Sequence, residues 1–298
     1  MFEEVRGNKI KSVILIIVFL ILAMILGVTV GLIYDNVLVG GIFTLIAGLI
    51  YVMIVYNSGD QMILTMTGAR PVTKKEFPYL FHTIEGLAIA ANIPTPKAYV
   101  IDDSALNAFA TGKDPQHASI TVTTGLLKVM NRQELEGVVA HEMSHIKNYD
   151  VRFMMLAVVL VGLVTLLSDF ILRSFLWGSH GQKRENRGGG NVQLLFIAIG
   201  LLFAILAPVI GYLIKMAISR KREFMADANA AILTRYPPGL ASALQKISKD
   251  PDPLVDKANK ATAHLFISTP FRNQNGFVTN MFATHPPIEE RIKRLKEM

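Results

Sequence analysis

No charged side chain interrupts residues 12–34 or residues 36–59, two runs of 23 and 24 residues separated only by Asp35. A helix needs about 20 apolar residues to cross a bilayer core, so each run is long enough to span, and a chain carrying both must fold partly in lipid. Asp35-Asn36 makes the pair a hairpin, with spans expected at about 12–33 and 37–56. The first run is not followed by a small-residue cleavage site and a polar mature region, which predicts a retained anchor rather than a removable signal. Arg6, Lys9 and Lys11 precede it and the connecting turn holds no Lys or Arg. By the positive-inside rule the N-terminus is expected in the cytoplasm, with the chain returning there after Tyr56.

The hydrophobic fraction of 51% and mean hydropathy of +0.40 agree with this partition. A net charge of +7 could suggest nucleic acid, but the cations gather at the ends of apolar runs, so no nucleic-acid role is expected. Cysteine is absent, which excludes disulfides, thiolate ligands and a thiol nucleophile and leaves His, Asp and Glu to hold any metal.

Residues 57–152 read as the first part of a soluble α+β unit. A helix is expected near Lys75–Ala91, broken at Pro94 and Pro96, and strands at Ala98–Ile101 and Ser119–Thr123, with Thr111–Pro115 as a turn. Asn131 followed by Glu134 forms a capping-box signal, and Leu135, Val138, Val139 and Met143 give the helix that follows a buried stripe. A third uncharged run, Phe153–Ser168, and a fourth, Gly188–Ile214, suggest a second hydrophobic hairpin over 153–216 with a polar linker at 178–191. The linker cations and the Asp169–Arg173 pair leave open whether this hairpin crosses fully or lies at the interface. Residues 217–298 are polar again, with helices expected over Glu223–Leu233 and Ile288–Lys296.

The chemistry sits in His141-Glu142-Met143-Ser144-His145. Histidines at i and i+4 project from one helical face and can reach one ion, while the adjacent glutamate addresses a water on it. A catalytic zinc keeps three protein ligands and one water. The metzincin continuation is missing, since Asn148 and Val151 stand where its glycine and third histidine would be. The only acids in the 25 residues after His145 are Asp150 and Asp169, so the third ligand is expected beyond the hairpin. Glu223 is the candidate, because Glu223 and Asp227 share a face among small apolar residues and would repel unless a cation satisfied them. Asp227 could then orient a ligand histidine, or pair with Arg291.

At this point the order of segments resembles the HtpX-type membrane zinc endopeptidases, bacterial relatives of the CAAX prenyl endopeptidase. The resemblance covers nearly the whole chain. It is carried by the two N-terminal spans, Asn107-Ala108-Phe109-Ala110-Thr111-Gly112, the histidine motif, a second apolar pair, Glu223-Phe224-Met225-Ala226-Asp227, and Thr284-His285-Pro286-Pro287 followed by Glu290-Arg291-Ile292. It implies one Zn2+ on His141, His145 and Glu223, Glu142 as general base, and a cytoplasm-facing active site in the bacterial inner membrane. It further implies quality control of misfolded or damaged membrane proteins and a stress role. His285 would be an oxyanion donor by the same resemblance, and Asn107, Ala108, Phe109 and Ala110 look like an edge that receives an extended substrate.

The expected architecture is an α+β membrane protein: a mostly helical zincin-like catalytic domain with a small sheet, plus four hydrophobic helices. A silent scaffold with structural zinc would not need Glu142, and a metal transporter would bury its ligands inside the spans.

Overall fold

The computed structural model describes residues 2–33, 35–160, 163, 220–250, 265–267 and 286–298. The expected 178–191 linker, nearly all of the second hairpin and His285 lie outside them. Helix α1 (Phe2–Ile33) and helix α2 (Val37–Met66) form the antiparallel N-terminal hairpin, and the Asn36 side chain caps α2 through the Val39 N–H. Stretches Val5–Val28 and Val37–Met66 are long and apolar enough to span. Large apolar side chains such as Ile14, Ile17, Ile21, Phe43, Ile46 and Met53 face outward, as a lipid-facing hairpin requires. Both helices outrun the expected spans at the ends away from the hairpin turn: α1 begins at Phe2, and α2 continues to Met66, where Gly68 at φ +66 ends it. Apolar run length sets where lipid ends, whereas capping and backbone geometry set where a helix ends.

Strands β1 (Arg70–Pro71), β2 (Lys97–Ile101), β3 (Ala108–Gly112) and β4 (Ala118–Thr123) form a mixed sheet in the order β1-β2-β4-β3. Only β2 and β4 run parallel, and β3 is an edge strand. The expected turn at Thr111–Pro115 begins later, because Thr111 and Gly112 still pair with Ser119 and Ala118. Gly112 makes that possible at φ +144, where a Cβ would stand 2.3 Å from the His117 carbonyl oxygen.

Both sheet faces are covered, which explains strands without polar alternation. Ala98, Val100, Ala108, Ala110, Ala118, Ile120 and Val122 pack into a core with helix α3 (Pro78–Ala91) and helix α5 (Arg132–Lys147). Tyr99, Ile101 and Phe109 join a second core with Leu15 and Phe19 of α1, Val55 and Ile63 of α2, and Phe153. The sheet is thus the layer between the helical unit and the base of the membrane hairpin.

A short helix, α4 (Thr124–Val129), leads into α5, whose capping box is complete: Asn131 accepts from the Glu134 N–H and Glu134 accepts from the Asn131 N–H. Three further helices close around α5: α6 (Arg220–Thr234), α7 (Pro237–Lys249) and α8 (Ile288–Lys296). Of these, α7 carries no expectation from the sequence reading above, although Pro237 at its start and buried Leu240, Leu244 and Ile247 at helical spacing mark it. Helices α5 and α7 meet through glycines: a Cβ on Gly137 would lie 2.6 Å from the Leu240 nitrogen, and one on Gly239 would lie 2.6 Å from the Gln133 oxygen. This close approach seats α5 one turn before its histidines.

Candidate metal centre

Helix α5 is buried from Gly137 to Ile146, so its polar residues must find partners inside the protein. His141 Nε2 and His145 Nε2 stand 3.2 Å apart. Glu223, brought in by the first turn of α6, completes a triangle with Oε2 3.7 Å from His141 Nε2 and Oε1 3.5 Å from His145 Nε2. Ligands bonded at 2.0–2.1 Å around a tetrahedral zinc lie about 3.3 Å from one another, so the two imidazole nitrogens fit such an ion, and one ligand atom from each of the three residues lies within 4.8 Å of the others. They form the group among the described residues that could hold a metal.

Each imidazole is oriented from behind. His145 Nδ1 is 3.0 Å from Asp150 Oδ2, and His141 Nδ1 is 2.9 Å from Asp227 Oδ1. A carboxylate only accepts, so each Nδ1 carries a hydrogen, and when both imidazoles are neutral each Nε2 has its lone pair for an ion. Asp227 in turn takes a two-pronged clamp from Arg291, with Nε to Oδ2 at 2.8 Å and Nη2 to Oδ1 at 2.7 Å. Arg291 is buried in α8, reaches the Ile267 carbonyl at 3.3 Å and lies 3.7 Å from Glu223. Asp227 therefore serves both His141 and Arg291, roles that the sequence left as alternatives.

Asp150 is the residue that sequence reasoning missed, having been weighed only as a possible third ligand. The chain reaches it by a sharp break: α5 ends at Lys147, Tyr149 adopts φ +61, and a new helix begins at Asp150 and runs through 160. That left-handed residue turns Asp150 back against His145. Its second oxygen takes the Asn8 side chain at 2.6 Å and faces Arg222 Nη1 at 3.4 Å. Both partners are remote in sequence, so only the fold could reveal them.

The electrostatics favour a cation. Carboxylates of Glu223, Asp150 and Asp227 face the guanidiniums of Arg222 and Arg291, which leaves one negative charge in excess in a buried volume for a proton on an imidazole, or a metal ion, to meet. Burial lowers the pKa of His145, but the bond to Asp150 and the charges of Glu223, Asp150 and Glu142 outweigh it and raise it to about 9. His141 is instead pushed down to about 4 by burial and Arg291, against the pull of Asp227. Two imidazoles this close cannot both be protonated, and a bound metal would supply the positive charge while leaving both neutral. Burial disfavours ionised Asp227, yet Arg291 and then His141 bring it down to about 2. Burial drives Glu142 up to about 7, with Glu223 adding to the rise and His145, Arg291 and the Ala110 N–H opposing it.

That last contact joins the site to the sheet edge. The Ala110 N–H addresses Glu142, and the Ala108 carbonyl accepts from the Ile267 N–H at 2.9 Å. The side chains of Asn107, Ala108, Phe109 and Ala110 are all buried, so any exchange with a substrate must run through β3's backbone.

Residues 74–298 match Peptidase family M48. The chain belongs to that family. It is 47% identical to a Protease HtpX homolog of Dictyoglomus thermophilum, the alignment covering 100% of this chain and 94% of the relative. A Protease HtpX homolog of Caldanaerobacter subterraneus is 45% identical, with 100% and 98% covered, and one of Streptococcus pyogenes 42%, with both covered in full. The crystal structure of S. mikatae Ste24p superposes with a TM-score of 0.50 at 19% identity, over 99% of this chain and 66% of that one, a likeness of fold. Family M48 membership with the apolar hairpin makes the chain a membrane metalloprotease.

Proposed function

We propose that the protein is a zinc endopeptidase whose single ion is held by His141, His145 and Glu223, with Glu142 as general base. The observation that carries the reading is the cluster of two imidazole nitrogens 3.2 Å apart with the Glu223 carboxylate oxygens 3.5 and 3.7 Å from them, each histidine backed by its own carboxylate. Bound there, zinc supplies a water of lowered pKa and a Lewis acid for the scissile carbonyl. Glu142 takes the proton of the attacking water and returns it to the departing amine, for which a pKa near neutrality suits both directions. Asp227 and Asp150 keep the imidazole lone pairs aimed, and Arg291 keeps Asp227 ionised. His285 as an oxyanion donor rests on the family resemblance alone.

Substrate is proposed to add as a strand along β3, which has no further strand beside it among the described residues. It would replace or share the Ile267 contact at Ala108. Main-chain pairing is tolerant of sequence, which suits unfolded or misfolded membrane proteins as clients in a quality-control and stress role. An active site on the cytoplasmic face of the bacterial inner membrane is supported by Arg6, Lys9 and Lys11 at the start of α1. In the same helix Asn8 touches Asp150, so the N-terminus and the site share one side. The catalytic unit is proposed to comprise 57–152 and 217–298, split by a hydrophobic hairpin over 153–216. The reading is tested by metal content and proteolysis of native, Glu142→Ala and Glu223→Ala proteins compared directly. Glu142→Ala should keep zinc and lose cleavage, and Glu223→Ala should lose both. Cleavage by Glu142→Ala, or full metal in Glu223→Ala, would defeat it.

A further inference from the structure

Asn8 is a buried amide among the charged first turns of α1, at 2% exposure. Every contact it makes through its side chain leaves its own helix. Its Nδ2 donates to the Asn148 carbonyl at 2.9 Å and to Asp150 Oδ1 at 2.6 Å, and its Oδ1 accepts from Arg222 Nη1 at 3.3 Å. These partners lie 140, 142 and 214 residues away along the chain. Ser12, one turn further on and equally buried, offers a contrast, because its hydroxyl bonds back to the Asn8 carbonyl within the helix.

We infer that Asn8 is a positioning residue for the metal centre: by holding Asp150 and Arg222 together it fixes the carboxylate that orients His145, so that docking of the first membrane helix and metal affinity become one equilibrium. The inference rests on His145 being a ligand. An amide is suited to the place, since it donates to a carboxylate and accepts from a guanidinium at once, which neither a carboxylate nor an ammonium group does. Without it, Asp150 Oδ1 keeps the longer 3.4 Å approach of Arg222, and the carboxylate is free to rotate toward that charge and away from His145. Groups that orient a ligand directly are worth 10- to 100-fold in metal affinity, and Asn8 acts one bond further out, so about 5- to 10-fold is expected. Linkage is reciprocal, so zinc must tighten the seating of α1 by the same factor.

The test uses the full-length chain carrying Glu142→Gln, which stops self-cleavage, in detergent micelles, with zinc affinity read by chelator competition. Asn8→Leu, close in volume, and Asn8→Asp, equal in shape but without the donor, should each weaken zinc about 5- to 10-fold, while Ser12→Ala should not. In the parent protein, zinc should slow amide hydrogen exchange in the first turns of α1, a readout that needs no variant at Asn8. Parental affinity in either Asn8 variant, or exchange in α1 that ignores zinc, overturns the inference and leaves the metal centre standing. Failure of the parent to take up zinc overturns both.

Discussion

Replacing Arg291 with methionine should separate the stability role of the buried clamp from its role at the metal. Arg291→Met keeps most of the side-chain length but leaves the Asp227 carboxylate buried, with two charge-assisted bonds of 2.7 and 2.8 Å removed. Removing one partner of a buried ion pair costs about 3–5 kcal/mol, because the other charge is left uncompensated. For a catalytic unit of this size that corresponds to a fall in Tm of about 10 °C. Adding Asp227→Leu removes the stranded charge, and apolar replacement of both partners is often neutral or stabilising, so the double variant should regain most of the loss. It should not regain metal affinity, because His141 Nδ1 loses the acceptor 2.9 Å away, and zinc should bind about 10- to 100-fold more weakly. Differential scanning fluorimetry with and without chelator, together with chelator competition, reads the two effects apart. A single variant that costs under about 1 kcal/mol, or a double variant no more stable than the single, would refute the assignment of Asp227 and Arg291 as a buried charge pair.

Other consequences follow from the same geometry. Glu134 accepts from Asn131, Ser242 and Lys246, and although burial alone would raise its pKa, these bonds leave it below the ordinary 4.5. A depressed folded-state pKa stabilises above the unfolded value and loses that contribution as pH falls through the folded one, so Glu134→Gln should be destabilised near pH 7, with the difference shrinking as pH falls from 4.5 through the depressed value; unfolding scans across pH check this. Thr121 carries a buried hydroxyl with no partner among the described residues, and Thr121→Val should stabilise by about 1–3 kcal/mol in the same scans, a fall in Tm contradicting it.

Local signals were legible in the sequence because the physics behind them is local. The capping box at Asn131 and Glu134 and the helix bearing His141 and His145 follow from spacing alone. Glu223 could be reached because it stands one turn before Asp227 on a face of small apolar residues, where two acids would repel unless a cation met them. What could not be read is the layer behind these residues. Asp150 lies five residues from His145, yet meets it only because Tyr149 reverses the backbone. Asn8 and Arg222 carry no spacing signal at all, since they approach Asp150 from opposite ends of the chain. Glu134 was legible as a cap, but its bonds to Ser242 and Lys246 of α7 depend on two glycines that let the helices touch. The buried hydroxyls and buried backbone of β3 likewise follow from layers on both sheet faces, which strand composition does not reveal.

X-ray absorption at the zinc edge, on the full-length Glu142→Gln protein loaded with one equivalent of zinc, would count the ligands directly. Two imidazoles with oxygen donors at about 2.0–2.1 Å are predicted, and in Glu223→Ala this spectrum should give way to that of free, water-coordinated zinc. One imidazole or three, or a shell indifferent to Glu223→Ala, would contradict a metal centre built from His141, His145 and Glu223.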